Sequence, residues 1–139
     1  MSAVSEFRLR NQLAELRRVG ERVLEFAQAN QLPQNMAQAI DLSLVEWITN
    51  IISYAYPDSL EHWIDVRLAL TSGEVRLEVA DDGRVFNPLN HPPVDTSAPL
   101  ETRPIGGLGI HMMRRLMDRV EYRREGGRNV VTMVKARSG

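Results

Sequence analysis

The sequence predicts an α+β fold, a two-layer sandwich in which a mostly antiparallel sheet is covered on one face by helices. Three observations predict it. Segments of alternating apolar and polar residues come in pairs joined by short turns, as in antiparallel hairpins. Segments of helical period stand together instead of alternating with strands, which argues against βαβ units. A proline-rich loop between the first hairpin and the last helix is too long for an ordinary connection.

The elements follow in order. EFRLR (6–10) alternates and reads as a short strand. NQLAELRRVGERVLEFAQAN (11–30) places Leu13, Leu16, Val19, Val23, Leu24 and Ala27 at helical spacing. LPQN breaks that helix, and Pro33 suits the first turn of a second one. The second helix is expected to run to about Tyr56, where Pro57 stops it. HWIDVRLAL (62–70) and EVRLEVA (74–80) alternate with period two, and TSG between them is a hairpin turn. Residues 84–105 hold five of the chain's seven prolines, the mark of a functional lid or a disordered segment. GGLGIHMMRRLMDRV opens on glycines and becomes helical. EYRRE and VVTMVKA, joined through GGRN, form a closing hairpin.

At 139 residues the chain reads as one domain, with no internal repeat. A chain of this length buries roughly two-thirds of its unfolded surface, so a core forms without staples. There is no cysteine, hence no disulfide framework and no thiolate metal site. His62, His91 and His111 show no ligand spacing, which argues against zinc. The net charge of -1 gives no support to nucleic-acid binding, which needs a basic face. MSAVSEFRLR lacks the apolar run of a signal peptide. No apolar stretch approaches the ~20 residues of a membrane span. The expectation is a soluble, cytoplasmic protein with no membrane partner. Lys135 is the only lysine among 17 lysines and arginines, so a mechanism built on a loop lysine is nearly excluded.

Three places are candidates for chemistry. On the second helix, at about 100° per residue, Ser43, Glu46, Asn50 and Ser53 fall in one stripe, opposite Leu44, Ile48, Ile51, Ile52 and Ala55. The plain reading is a wet face. The sharper one notes that the stripe has no Lys or Arg, and that a carboxylate and an amide oxygen are hard ligands of the kind Mg²⁺ accepts beside phosphate. In VADDGRVFNP (79–88), Asp81 ends a strand and Gly83 frees the backbone to turn. Here the choice is between an ordinary turn and a carboxylate that accepts from a ligand amino group such as the adenine N6, with Gly83 letting the backbone approach the ring. In IGGLGIHMM (105–113), glycines lead into a helix whose free N–H groups favour anions. No Gly-Lys pair exists, so this is not a P-loop, and G-x-G-x-x-G is not completed. His111 reads as structural, and Met112, Met113 and Met117 as core or partner-facing packing.

The order of these motifs is more specific than any one of them. Glu-x-x-x-Asn on a helix, Asp-x-Gly after a strand, a proline-rich loop and Gly-x-Gly opening a helix resemble the ATPase superfamily of gyrase, heat-shock chaperones, histidine kinases and MutL. The resemblance covers about residues 35–136. Within that superfamily, DDGRVFNP and GGLGIHMMRRLMDRVEYRREGGRN look like the serine/threonine kinases that act as bacterial anti-sigma factors.

By that resemblance, Glu46 is the general base, Asn50 coordinates Mg²⁺ on the ATP phosphates, and Asp81 holds the adenine amino group with Gly83 beside the ring. Residues of about 88–105 are the ATP lid. Gly107, Leu108 and Gly109 form the phosphate box, and Thr132 lies near the adenine-binding aspartate. The implied function is an ATP-dependent serine/threonine protein kinase, an anti-sigma regulatory factor that phosphorylates a small anti-sigma-antagonist protein and otherwise binds a sigma factor. Homodimers are a further implication. The chain departs from the family at Tyr54, which stands where a basic residue is frequent; Arg103 is a candidate replacement. Two other readings stay open. One is a nucleotide-gated binding module with little turnover, favoured by Tyr54. The other is a histidine-kinase-type catalytic domain, whose phosphoacceptor would lie on another chain because residues 1–35 contain no histidine.

Overall fold

The structure is a computed structural model that describes residues 3–90 and 107–137. Strand β1 spans Ala3–Arg10 and is followed by a single 3-10 turn, Leu13–Glu15. Helices α1 (Leu16–Ala29) and α2 (Gln34–Tyr54) come next. Strands β2 (Trp63–Leu70) and β3 (Glu74–Asp81) form a hairpin. Helix α3 spans Gly107–Leu116, and strands β4 (Arg119–Glu125) and β5 (Arg128–Ala136) form a second hairpin.

The five strands make one sheet in the order β1-β2-β3-β5-β4, and every pairing is antiparallel. The α+β expectation holds. The first strand is longer than EFRLR suggested, because Ala3 to Arg10 pair residue for residue with Leu70 to Trp63. Pro33 sits just before α2 instead of in its first turn; its ψ of 149° is extended, and its carbonyl accepts from the N–H groups of Met36 and Ala37. The helix ends at Tyr54, short of Pro57, since the residue before a proline is pushed out of helical geometry. The β4–β5 turn needs only Gly126 and Gly127, at φ of 59° and 77°. Both values are left-handed, which a two-residue hairpin of this kind requires and glycine accepts.

Strand alternation sorts the sheet into two faces. Leu9, Ile64, Val66, Leu68, Leu77, Val79, Val131 and Met133 point at the helices and are 2% exposed or less. Val19 and Val23 of α1, Leu44, Ile48 and Ile51 of α2, and Met113 and Met117 of α3 complete the core. The other face is charged: Asp65 accepts from Arg8 on one oxygen at 2.8 Å and from Arg128 on the other at 2.7 Å. Among the described residues no helix is long and apolar enough to cross a membrane.

The layering positions the site. α2 packs on the sheet and against α1 and α3, and nine of its 21 residues are buried, over about half of its circumference. A polar residue on the buried side, such as Ser43 or Asn50, needs a partner or a use.

Candidate functional site

Ser43 is fully buried and Asn50 is 8% exposed, whereas Glu46 is half-buried and Ser53 exposed. The stripe on α2 is therefore not the wet face of the plain reading. Asn50 Nδ2 donates back to the carbonyl of Glu46 at 2.7 Å. With the amide N–H tied into the helix, Oδ1 is the atom left for a ligand, and it is a hard oxygen of the kind a magnesium–phosphate group accepts. No group of three or more His, Asp or Glu among the described residues is placed to hold a metal. A cation at Asn50 Oδ1 would need most of its ligands from outside the described side chains.

Asn50 lines a cavity with Trp47, Ile51, Tyr54, Ala55, Asp81 and Asn129. Asp81 is 1% exposed, at the end of β3 on the face toward the helices. Its Oδ1 accepts from the Gly83 N–H at 2.9 Å and from Asn129 Nδ2 at 3.0 Å. Burial pushes its carboxyl above the usual carboxylate range, against the two hydrogen bonds that favour the ionised form. Both donors engage the same oxygen, which leaves Oδ2 to accept from a ligand.

The turn after Asp81 is pressed onto the end of α2. A Cβ on Gly83 would lie 2.5 Å from Ala55 Cβ and 2.7 Å from the Ala55 carbonyl oxygen. That same carbonyl accepts from the Arg84 N–H at 2.9 Å, so neither side has room to move apart. The glycine is thus required by close approach. Gly83→Ala is expected to destabilise the fold by about 1–3 kcal/mol, the usual range for overpacking, and to shift Asp81 with the displaced turn. A urea midpoint equal to that of the parent would contradict this packing.

Beyond the turn, His62 holds Asp82 in place. Its ring nitrogens lie 2.7 Å from Asp58 and 3.3 Å from Asp82, and the ring stacks on Tyr56 at 4.1 Å. The hydrogen bond to Asp58, with a smaller contribution from Asp82, holds the His62 imidazole above its ordinary pKa.

The residue that organises the cavity is Asn129, which the motifs did not single out. It is 2% exposed and stands directly across from Asp81 in the β3–β5 register. Its Nδ2 donates to Asp81 and, at 2.8 Å, to the Arg84 carbonyl. Its Oδ1 accepts from the Tyr122 hydroxyl at 2.6 Å and the Phe86 N–H at 3.3 Å. Phe86 in turn stacks on Trp47 with ring centroids 5.8 Å apart. A signal was present: a poor strand former opens a run of β-branched residues in NVVTMV.

Thr132 is a correction. It is three residues from Asn129, so alternation sends its side chain to the opposite face of the sheet, between Glu78 and Glu121. It is buried there at 4% exposure, away from Asp81. Glu46 is not in the cavity wall; it lies one turn before Asn50. Gly107, Leu108 and Gly109 form the first turn of α3, where helical N–H groups have no partner within the helix. The lid expectation falls on residues of which only 88–90 are described, as a short 3-10 turn; 91–106, with His91 and Arg103, lie outside the described residues.

Residues 9–135 match the family model for the histidine kinase-like ATPase domain. The serine/threonine-protein kinase BtrW of Bordetella bronchiseptica is 33% identical over 90 residues, 63% of this chain and 62% of that protein. The serine-protein kinase RsbW of Bacillus thuringiensis is 31% identical over 94 residues, 65% of this chain and 58% of its own. The chain thus spans about three-fifths of the length of these curated relatives. The crystal structure of RsbU and RsbW domains from a Mycobacterium tuberculosis protein covers 99% of this chain and 33% of that one, with a TM-score of 0.70 at 17% identity. The histidine kinase domain of a blue-light activated kinase from Erythrobacter litoralis covers 90% of this chain and 60% of that one, at 0.57 and 20%. At these identities the likeness to the two structures is one of fold.

Proposed function

Since the chain belongs to the histidine kinase-like ATPase domain family, we propose that it binds ATP at the end of β3 and acts as a serine/threonine protein kinase. Its proposed substrate is a small anti-sigma-antagonist protein, and its proposed second partner a sigma factor. The names of the two bacterial serine kinases it resembles support this assignment. The observation that carries the nucleotide reading is Asp81: a buried carboxylate with one oxygen tied down and the other left to accept, in a cavity it shares with Asn50.

The cavity encloses about 210 Å³, less than the roughly 300–1,000 Å³ of pockets that enclose a whole drug-sized ligand. Its described part is nearer the size of a heterocyclic base than of a whole nucleoside triphosphate. The base would meet Asp81 beside Gly83 and Ala55, and the phosphates would lie outside along α2. Glu46 is nine residues before Ala55, or roughly 13 Å along the helix. Asp81 and Glu46 are therefore proposed to serve opposite ends of one extended ligand, with Asn50 between them. Mg²⁺ bound at Asn50 Oδ1 would neutralise phosphate charge, and Gly107 to Gly109 would present backbone N–H groups to the same phosphates.

In the transfer, the acceptor hydroxyl oxygen bonds to the γ-phosphorus while the bond from that phosphorus to the bridging oxygen breaks. Glu46 takes the hydroxyl proton, and ADP leaves with the electron pair. Most of the work is positioning and charge stabilisation.

Incubation with γ-labelled ATP and a small antagonist protein, under single-turnover conditions, tests the assignment. Label on a serine or threonine of that protein is the expected result. ATP binding without label would favour the nucleotide-gated binding module, the reading to which Tyr54 gives weight by lining the cavity with a neutral ring.

A further inference from the structure

His62 stands where three segments meet. It closes the connection between α2 and β2, and its backbone is paired with Asn11 at the end of β1. The Asn11 N–H donates to the His62 carbonyl at 3.1 Å, and Asn11 Oδ1 accepts from the His62 N–H at 2.9 Å. The imidazole is stacked on the Tyr56 ring with planes 12° apart. Nε2 lies 2.7 Å from Asp58 Oδ1, and Nδ1 lies 3.3 Å from Asp82 Oδ1. Asp58 belongs to the connection and is fixed there by the Leu60 N–H at 3.0 Å. Asp82 belongs to the turn after β3, between Asp81 and Gly83. A neutral imidazole carries one N–H and can donate to only one of these carboxylates; the imidazolium donates to both. A proton therefore closes the junction.

The junction bears on the cavity through Asp82. Asp81 is buried, and after that burial the charge of Asp82 is among the causes that push the Asp81 carboxyl up. An imidazolium at 3.3 Å offsets that charge and ties the turn to the connection. When the proton leaves, one ring nitrogen turns a lone pair on a carboxylate. The tether slackens, and Asp82 is left uncompensated beside Asp81. The other groups around His62 do not replace it. Burial, with the charges of Asp81 and Asp82, pushes the Tyr56 phenol up, so it stays neutral. Glu61 is paired with Arg10 at 3.7 Å, and Asn11 carries no charge. Arg128 of β5, whose charge is felt at Tyr56, lies 2.7 Å from Asp65.

We propose that His62 is a positioning residue of the nucleotide site, a proton-dependent latch that fastens the Asp81 turn to the connection between α2 and β2 and so makes affinity for the base follow pH. This rests on the nucleotide reading above. Two titrating groups then act in opposite directions. His62 is held above its ordinary pKa, chiefly by Asp58. The latch is thus closed below the ordinary histidine range and opens as pH rises through the raised value. Asp81 is raised by burial, so its ionised acceptor is lost as pH falls through its own raised value. Affinity is highest between the two.

The test is Mg-ADP affinity by calorimetry from about pH 6 to about pH 9, a window that spans the histidine range. The parent is compared with His62→Gln and Asp82→Asn at each pH, which cancels the ligand's own titration. The parent is expected to bind about twofold to fivefold tighter than His62→Gln at the acid end, the scale of a half-exposed ion pair, and to match it at the alkaline end. Asp82→Asn cuts the latch on the turn side only. Its affinity relative to His62→Gln is expected to be the same at both ends, while its imidazole still titrates above the ordinary range through Asp58. NMR reads that titration, on the histidine signal missing from His62→Gln. By reciprocity, saturating Mg-ADP raises the His62 pKa in the parent and leaves it unmoved in Asp82→Asn. A parent-to-His62→Gln ratio that does not change with pH would overturn the latch and leave the nucleotide site standing. A parent-like profile in Asp82→Asn would do the same and make His62 an anchor of the connection alone. A parent that binds no Mg-ADP at any pH would instead remove the nucleotide reading itself.

Discussion

Glu46→Gln is expected to leave ATP affinity within a few-fold of the parent while lowering phosphate transfer by roughly 10²–10⁴, the usual contribution of a positioned acid or base. The substitution keeps shape and removes only the base. The α2 hydrogen bond at this point uses the Glu46 backbone carbonyl, accepting from Asn50, so it survives the change. Glu46 is outside the cavity wall, and as the proposed base its charge would matter chiefly as the hydroxyl proton departs, a transition-state interaction. Asn50→Ala differs in kind. It would remove the oxygen proposed for the metal in the ground state, so Mg-ATP binding is expected to fall along with turnover. Calorimetry with single-turnover transfer separates the two residues. If Glu46→Gln transfers phosphate like the parent, Glu46 is not the base, and the α2 stripe serves only binding.

At the other end of the site, Asp81→Ala is expected to weaken ATP binding by about tenfold to a hundredfold. The change removes the proposed acceptor for the ligand, leaves the Gly83 N–H without its side-chain partner and leaves Asn129 Nδ2 with only the Arg84 carbonyl. Asn129→Ala should do comparable damage by a different route. It leaves Asp81 with one donor fewer and removes a partner of the Tyr122 hydroxyl and of the Arg84 carbonyl. A buried group left without a partner costs about 1–3 kcal/mol, so this variant loses stability as well as affinity. Thr132→Val is the contrast: its side chain is on the far face, and ATP affinity should stay within twofold. Chemical denaturation beside nucleotide titration reads all three. A loss of ATP affinity in Thr132→Val as large as that in Asn129→Ala would contradict the register argument.

The layers were legible in the sequence because alternation and helical period report burial directly. Leu77, Val79, Val131 and Met133 are core for the reason their spacing predicts. Asp81, Gly83 and Asn50 were legible as types with a chemical use in a specific order. Thr132 and Asn129 show where such reading stops. Both are polar residues in one strand, three apart, and only the pairing of β5 with β3 decides which one faces Asp81. Register is a long-range property, and a shift by one residue exchanges the faces. The hydrogen bond by which Arg84 Nε caps the end of α2 at the Tyr54 carbonyl was hidden in another way, because it joins residues 30 positions apart in the chain.

The place of β5 inside the sheet, and not at its margin, bears on how the molecule assembles. β1 and β4 are the margins, and β5 inserts between β3 and β4. The β2–β3 and β4–β5 hairpins close over short turns, whereas Asp81 and Asn129 are 48 positions apart. Non-local pairing of this kind comes late, because a long loop must close before any contact rewards it. Until it does, β3 is an open edge bearing Val75, Leu77 and Val79, the sort of surface that recruits other chains. The step that covers this edge is the same one that brings Asn129 to Asp81. Protection of the β3 edge and assembly of the Asp81–Asn129 pair are therefore acquired together, and a chain held before that step has both an open edge and an incomplete cavity.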